Sequence, residues 1–133
     1  YTGVSEMSTV KVDAIAPRTV STTIAIGAAA SNLTTLTSAA TITIDFNNNN
    51  NFKVTLAHNA AFANPSNPTA GQTGSIFITQ DGTGSRTASW GTSWDFIGGT
   101  APTLTTTAAG VDRIDYVILD ATNIQAVATL NYS

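Results

Sequence analysis

The sequence predicts an all-β domain, an antiparallel β-sandwich of jelly-roll type with an extended amino-terminal arm. Three observations support this fold class. The β-branched residues Ile, Val and Thr make up 43 of the 133 residues, and they disfavour helices and suit a pleated sheet. Several stretches alternate apolar and polar residues, as half-buried strands do. Turn-forming residues separate these stretches at intervals of about eight to twelve residues, which is typical of sandwiches.

The composition also excludes several classes of protein. Only 10% of the residues are charged, against roughly 25% in an average soluble domain. Five Lys and Arg against eight Asp and Glu do not neutralise a phosphate backbone, so we expect no nucleic-acid partner. The chain has no cysteine, which excludes disulfides and thiolate metal sites. No apolar run is long enough to span a bilayer, so we expect no membrane insertion.

The amino-terminal third is predicted to hold the arm and the first strands. The alternation in Thr9–Ile15 indicates a strand that ends at Pro17, and Val20–Ile26 indicates a second strand. The Ala, Ser and Thr tract Ala28–Ala40 is interpreted as a loop. Residues 1–18 form the predicted arm, which we expect to cross to a neighbouring subunit or to anchor the protein.

We therefore divide the single compact chain into residues 1–40, with the arm, the first strands and assembly contacts, and residues 41–133, the sandwich domain. Thr41–Phe46 and Phe52–Leu56 alternate strictly. The five asparagines between them, Asn47–Asn51, predict a hairpin connection, because Asn tolerates left-handed backbone and bonds its own main chain.

The next segment predicts a second antiparallel pair. The Pro- and Asn-rich stretch Asn64–Gly71 is a loop, and Ser75–Thr79 is a strand. Asp81–Ser85 is a turn that requires positive φ at one or both of its glycines, and Arg86–Trp90 returns antiparallel. A calcium loop is the less favoured alternative, since this turn supplies one carboxylate where calcium collects several oxygen ligands.

The carboxyl-terminal part predicts a short strand and a hairpin. Trp94–Ile97 reads as the short strand, which the glycines Gly98 and Gly99 end. Asp112–Leu119 and Asn123–Leu130 form the predicted hairpin. The connection between its two strands is Asp120–Thr122.

The chain offers little for catalysis. His58 is the only histidine, and no nucleophile and base are placed together, so we expect no enzyme activity, no cofactor and no metal site. Asp112 and Asp115 point to opposite faces of their strand and do not form a catalytic pair. Arg113 and Asp115 share a face, which suggests a cross-strand ion-pair ladder that extends to Arg86.

Four aromatic residues have two interpretations. Trp90, Trp94, Phe96 and Phe77 lie close in sequence. If the two tryptophans are exposed, they would stack on a sugar ring and form a carbohydrate-binding site. If the four rings are buried, they would cover the hydrophobic core. The second interpretation is favoured because aromatic residues at strand positions are usually buried.

The order of motifs from Asn64 onward resembles a known family. The matching residues are Asn64–Arg86, Trp90-Gly91, Trp94-Asp95-Phe96, Gly98–Leu104, Val111-Asp112 and Tyr116. They resemble a carboxy-terminal β-domain of bacteriophage virion proteins, especially tail fibres and other components of the particle surface. The resemblance covers residues 41–133. It implies a structural role without catalysis, a homotrimer in contact with other phage structural proteins, and a location on the virion surface.

Three functions are compared on this basis. The first is a virion structural protein, where the resemblance favours a tail-fibre tip and the short chain favours a capsid decoration protein. The second is a carbohydrate- or receptor-binding module that contacts a host-surface glycan through Trp90 and Trp94. The third, a depolymerase, is disfavoured by the lack of an acid, a base and a nucleophile placed together. Few charges keep copies of the chain apart, so we expect one face or edge of the sandwich to be buried against neighbouring copies.

Overall fold

The structure, a computed structural model, describes residues 30–133, and the regular secondary structure of this part of the chain consists of β-strands and one short 3-10 turn. The described strands are β1 Leu33–Thr35, β2 Thr41–Ile42, β3 Asn51–Leu56, β4 Ala60–Phe62, β5 Thr73–Gln80, β6 Ala88–Trp90, β7 Trp94–Phe96, β8 Val111–Asp120 and β9 Asn123–Tyr132. A short 3-10 turn, Ile97–Gly99, follows β7. The all-β prediction is therefore confirmed for these residues. The predicted arm, residues 1–18, and the strands predicted at Thr9–Ile15 and Val20–Ile26 lie outside the described residues.

The strands form two sheets between which the chain alternates. The large sheet has the order β1-β3-β5-β8-β9-β7, and the small sheet has the order β2-β4-β6. Neighbouring strands among β1, β3 and β5 are parallel, and so are those among β2, β4 and β6. Each strand of the small sheet is thus the crossover between two parallel strands of the large sheet. The first six strands make three turns of a parallel β-solenoid.

The antiparallel pairings predicted for this region are wrong. Thr41–Phe46 and Phe52–Leu56 do not form a hairpin, because β2 belongs to the small sheet and β3 to the large one. Ser75–Thr79 and Arg86–Trp90 are separated in the same way, so their strands are not partners either. Alternation shows which side chains face the core, and this pattern is the same for a parallel and an antiparallel neighbour. Jelly-roll connectivity, which is antiparallel, does not describe these six strands.

The segment predicted as a loop, Ala28–Ala40, contains a strand. Leu33–Thr35 forms β1 and pairs in parallel with β3, so the large sheet extends before residue 41, the predicted start of the sandwich. The strand is short and lies at the outer position of the large sheet. Its sequence carries only one bulky apolar residue, Leu33, and therefore no clear alternation.

The asparagine run is a corner of the solenoid rather than a hairpin turn. Asn51 connects all three turns: its side-chain amide donates to Ser31 Oγ at 2.7 Å, and its Oδ1 accepts from the Ser75 main-chain N–H at 3.0 Å. Ser31 precedes β1 and Ser75 lies in β5, so the bonds run along the stack of turns. Asn is suited to this position because its amide both donates and accepts.

The core lies between the two sheets and follows the predicted alternation. In β3 the side chains of Phe52, Val54 and Leu56 are buried, while Lys53 and Thr55 are exposed. Aromatic rings from both sheets and their connections meet in this core. The rings in contact are Phe46, Phe52, Phe62, Trp90, Trp94, Phe96 and Tyr116.

The predicted carboxyl-terminal hairpin is confirmed. β8 and β9 are antiparallel, and β8 also pairs antiparallel with β5, which attaches the hairpin to the solenoid. The Asp120 carboxylate closes the turn, accepting from the Thr122 main-chain N–H and from the Asn123 side chain, both at 2.8 Å. Both long strands of the hairpin are thereby held at one side of the large sheet.

Candidate functional site

The two tryptophans are brought together by the fold, but within the aromatic core. Trp94 is only 6% exposed, and its indole N–H donates to the carbonyl of Ala63 at 3.1 Å. Trp90 is half-buried, with its ring stacked on Phe62 at 4.5 Å between centroids. The Trp90 ring also makes an edge contact with Phe96 at 5.1 Å. The ring faces that a sugar would use are largely occupied by protein.

A shallow groove of about 260 Å³ lies beside these rings. Its lining includes Trp90, Trp94, Phe96 and the exposed Asp95. The buried indole N–H of Trp90 has no hydrogen-bond partner among the described residues. Phe77, the fourth aromatic residue, points away from the core in an outward-facing position of β5, so the prediction that its ring covers the core is wrong.

The carboxylates are placed as the sequence predicts, on opposite faces of β8. Asp112 is buried and accepts main-chain N–H bonds from Thr105 at 2.7 Å and Asn131 at 2.9 Å. Asp115 points outward. The Asp112 carboxylate therefore fixes the loop before β8 and the end of β9.

Among the described residues there is no group of three or more His, Asp or Glu side chains that could hold a metal ion, and His58 is exposed.

The Asp81 turn is held by its own carboxylate. Asp81 accepts the main-chain N–H groups of Thr83 at 3.0 Å and Gly84 at 2.9 Å, and it pairs with Arg86 at 2.7 Å. The hydrogen bond from Arg86, with further bonds from the turn, lowers the pKa of Asp81. Gly84 has a φ of +72°, so one glycine does supply the predicted positive φ. Arg86 is thus engaged within its own turn, and the predicted extension of the ion-pair ladder to Arg86 is wrong.

This pairing predicts a dependence of stability on pH. A carboxyl whose pKa is lowered by folding stabilises the folded state above its unfolded pKa, near 4, and loses that contribution as the pH falls through the folded value. We expect Asp81→Asn to lower the free energy of unfolding at about pH 7 and to have a smaller effect near pH 2. Urea unfolding at both pH values measures the difference. Asp95→Asn, at an exposed carboxylate of β7, is the control, and an equal loss at both pH values for Asp81→Asn would contradict the prediction.

Arg113 and Asp115 share the face of the large sheet that points away from the core, as predicted. Their ion pair lies along β8 and not between strands, so the predicted cross-strand ladder is wrong. Arg113 Nε donates to Asp115 Oδ2 at 3.0 Å, and Ser75 Oγ donates to Asp115 Oδ1 at 2.5 Å. The Arg113 guanidinium also lies over the Tyr132 ring, 5.3 Å from its centroid. These contacts join β5, β8 and β9 across the middle of the face.

Ser75, Arg113 and Asp115 form a polar centre on this side of the sheet, and apolar side chains surround it. We call the surface formed by the outward-facing residues of β8 and β9, together with Phe77 and Ile97, the outer face. Ile97 is 82% exposed, and Val117, Val127 and Tyr132 are each more than 40% exposed. None of these residues was predicted to belong to a site. For Val117 the signal is the unbroken apolar run 116–119, because a strand that is apolar at successive positions has two hydrophobic faces rather than one.

Comparison with protein-family models, with curated proteins and with solved structures finds no match to this chain. Within the described residues, no helix is long and apolar enough to cross a membrane.

Proposed function

We propose that this chain is a structural protein of a bacteriophage particle, displayed on the virion surface as a tail-fibre tip or a capsid decoration protein. The observation that carries the proposal is the order of motifs between Asn64 and Tyr116, which resembles the carboxy-terminal domain of such proteins. The proposed mechanism is assembly without catalysis. The expected assembly is a homotrimer that contacts other phage structural proteins.

The properties of the described residues support a role in packing rather than chemistry. The carboxylates of Asp81 and Asp112 are engaged with main-chain N–H groups, so they serve the fold. The outer face instead offers large apolar side chains to solvent, which monomeric proteins rarely do over a contiguous area. Such a surface is typical of a protein that works in contact with other subunits.

The native mass of the purified chain, measured by light scattering after size exclusion, tests the assembly. We expect a homotrimer over a wide range of concentration. A chain that remains monomeric at high concentration would overturn self-assembly as the mechanism.

The predicted amino-terminal arm is part of the proposal. We propose that residues 1–18 cross to a neighbouring subunit or anchor the chain to the particle. Deleting them is expected to leave residues 31–133 folded, because these form a compact unit, and to abolish assembly or particle binding. Circular dichroism reports the fold and light scattering reports the assembly. Assembly that is unchanged by the deletion would contradict this role for the arm.

The second candidate is a carbohydrate-binding module that uses Trp90 and Trp94. Its support is the groove beside the rings, where the exposed Asp95 would accept hydrogen bonds from sugar hydroxyl groups. Trp94 would have to give up its bond to Ala63 to stack on a sugar, so this candidate is the weaker one. A glycan array probed with the unmodified chain and with Trp94→Ala tests it, and binding of no glycan by either form excludes it.

A further inference from the structure

We propose that the outer face of β8 and β9 contacts the same face of a second copy of this chain. This inference rests on the proposed assembly and adds to it, since a contact about a two-fold axis pairs one homotrimer with another and does not itself build a trimer. The groove at one end of the face has a volume of about 300 Å³, and its lining includes Ile97, Val117 and Val127. The groove at the other end, of about 380 Å³, is lined by Phe77, Tyr132 and their neighbours.

The face is continuous across the strands. Cross-strand partners place Val117 beside Gln125 and Asp115 beside Val127. Further along the hairpin, Tyr132 lies beside Val111, with a register shift in between. Apolar side chains therefore occupy both ends of the face, and the polar centre separates them. Several large apolar side chains exposed on one face, around a few polar groups, mark a site of protein contact.

The charge of the face points to a second copy as the occupant. Its polar centre carries one cation, Arg113, and one anion, Asp115, and these already pair within the chain. The polar centre therefore has no net charge that would select a strongly acidic or basic partner, and the Asp95 carboxylate lies beside the face, across from Gln125. A second copy brings the same paired centre, so association leaves neither Arg113 nor Asp115 without a partner.

The order of residues along β8 is complementary to itself. The outward side chains follow one another as Val111, Arg113, Asp115 and Val117. A two-fold axis in the interface, crossing the strand midway between Arg113 and Asp115, sets each Arg113 opposite Asp115 of the other copy. Isologous interfaces arise from self-complementary surfaces of this kind.

The same rotation matches the two ends of the face. It sets Tyr132 of one copy over the row formed by Val117 and Gln125 in the other. Ile97 and Val127 line the groove at that end, so the tyrosine ring would enter an apolar site. Aromatic residues in pockets of this type are the residues that contribute most to association.

The test compares Val127→Asp with Leu33→Asp. Val127 is 45% exposed on the outer face, and Leu33 is 43% exposed on β1, at the far side of the same sheet. A carboxylate at position 127 would lose its hydration in this contact, so we expect Val127→Asp to weaken self-association through the outer face by about 100-fold and Leu33→Asp to change it little. Light scattering over a concentration series measures the self-association, and near-UV circular dichroism confirms that each variant is folded.

Val127→Thr is the second variant, because it keeps the side-chain shape and the β-branching. We expect it to weaken self-association as well, but less than Val127→Asp does.

The outcomes separate this inference from the proposed function. A dimer, or a pair of trimers, that Val127→Asp dissociates supports the two-fold contact of the outer face. A trimer that does not pair, or a paired form that Val127→Asp and Val127→Thr leave intact, overturns that contact and leaves self-assembly standing. If the unmodified chain is monomeric at high concentration, both self-assembly and this use of the face are overturned, and the face then belongs to a different protein partner.

Discussion

Replacing Phe62 with alanine is expected to lower the free energy of unfolding by about 3–5 kcal/mol, as large-to-small changes at buried aromatic positions do. Phe62 is fully buried at the end of β4. Its ring stacks on Trp90 at 4.5 Å and is part of the contact between the small sheet and the core. Removing the ring leaves a cavity that the surrounding strands cannot close, because the cross-strand bonds on each side of β4 fix their spacing.

Urea unfolding of the purified variant measures this loss. Phe62→Leu, which keeps a large apolar side chain, is the matched control and is expected to lose about half as much or less. Tryptophan fluorescence gives a second readout, since both variants remove the ring that stacks on Trp90 but only alanine leaves the space beside the indole empty. Equal stabilities for Phe62→Ala and the unmodified chain would show that the small sheet does not depend on this contact.

Gly74→Ala is the second substitution with a large expected effect. A Cβ placed on Gly74 would collide with the main-chain carbonyl of Asn50 and would lie 2.7 Å from the Tyr116 hydroxyl oxygen. That hydroxyl donates to the Asn50 carbonyl at 2.5 Å, so the added methyl group enters an existing hydrogen bond between the asparagine corner and β8. Main chain cannot move aside as a flexible side chain can. We expect a loss of about 3 kcal/mol in the free energy of unfolding.

Gly82→Ala is the control for this substitution. No atom lies within 4 Å of a Cβ at Gly82, and its φ is not among the positive values. Its effect is therefore expected to stay within about 0.5 kcal/mol. Denaturant unfolding of both variants in parallel makes the comparison. Similar stabilities for the two variants would contradict the close approach of the asparagine corner to β5.

The direction of the strands could not be predicted from the sequence. The alternation in 52–56 correctly predicts that Phe52, Val54 and Leu56 face the core. It gives no information about which strand lies beside β3, because parallel and antiparallel neighbours bury the same side chains. Asparagines suit a hairpin turn and a solenoid corner equally well, since both need short polar side chains that bond main chain.

The candidate site was predicted in part. The shared face of Arg113 and Asp115 follows from the period of two and is confirmed, with a 3.0 Å contact. The placement of Trp90 and Trp94 within the aromatic core agrees with the favoured interpretation of these residues. The exposure of Ile97 beside the hairpin was not predicted, because it depends on a 3-10 turn that places this residue next to β9.

By itself, the sequence determined the strand content, the inward-facing residues and the carboxyl-terminal hairpin, because these depend on local propensity, on alternation and on a short turn. The tertiary structure alone decided the parallel winding of the first six strands and the exposed apolar side of β8 and β9. The physical reason is the same in both cases. Which strand pairs with which, and which of two apolar faces is covered, depend on contacts between residues that are distant in sequence, and local patterns do not record those contacts.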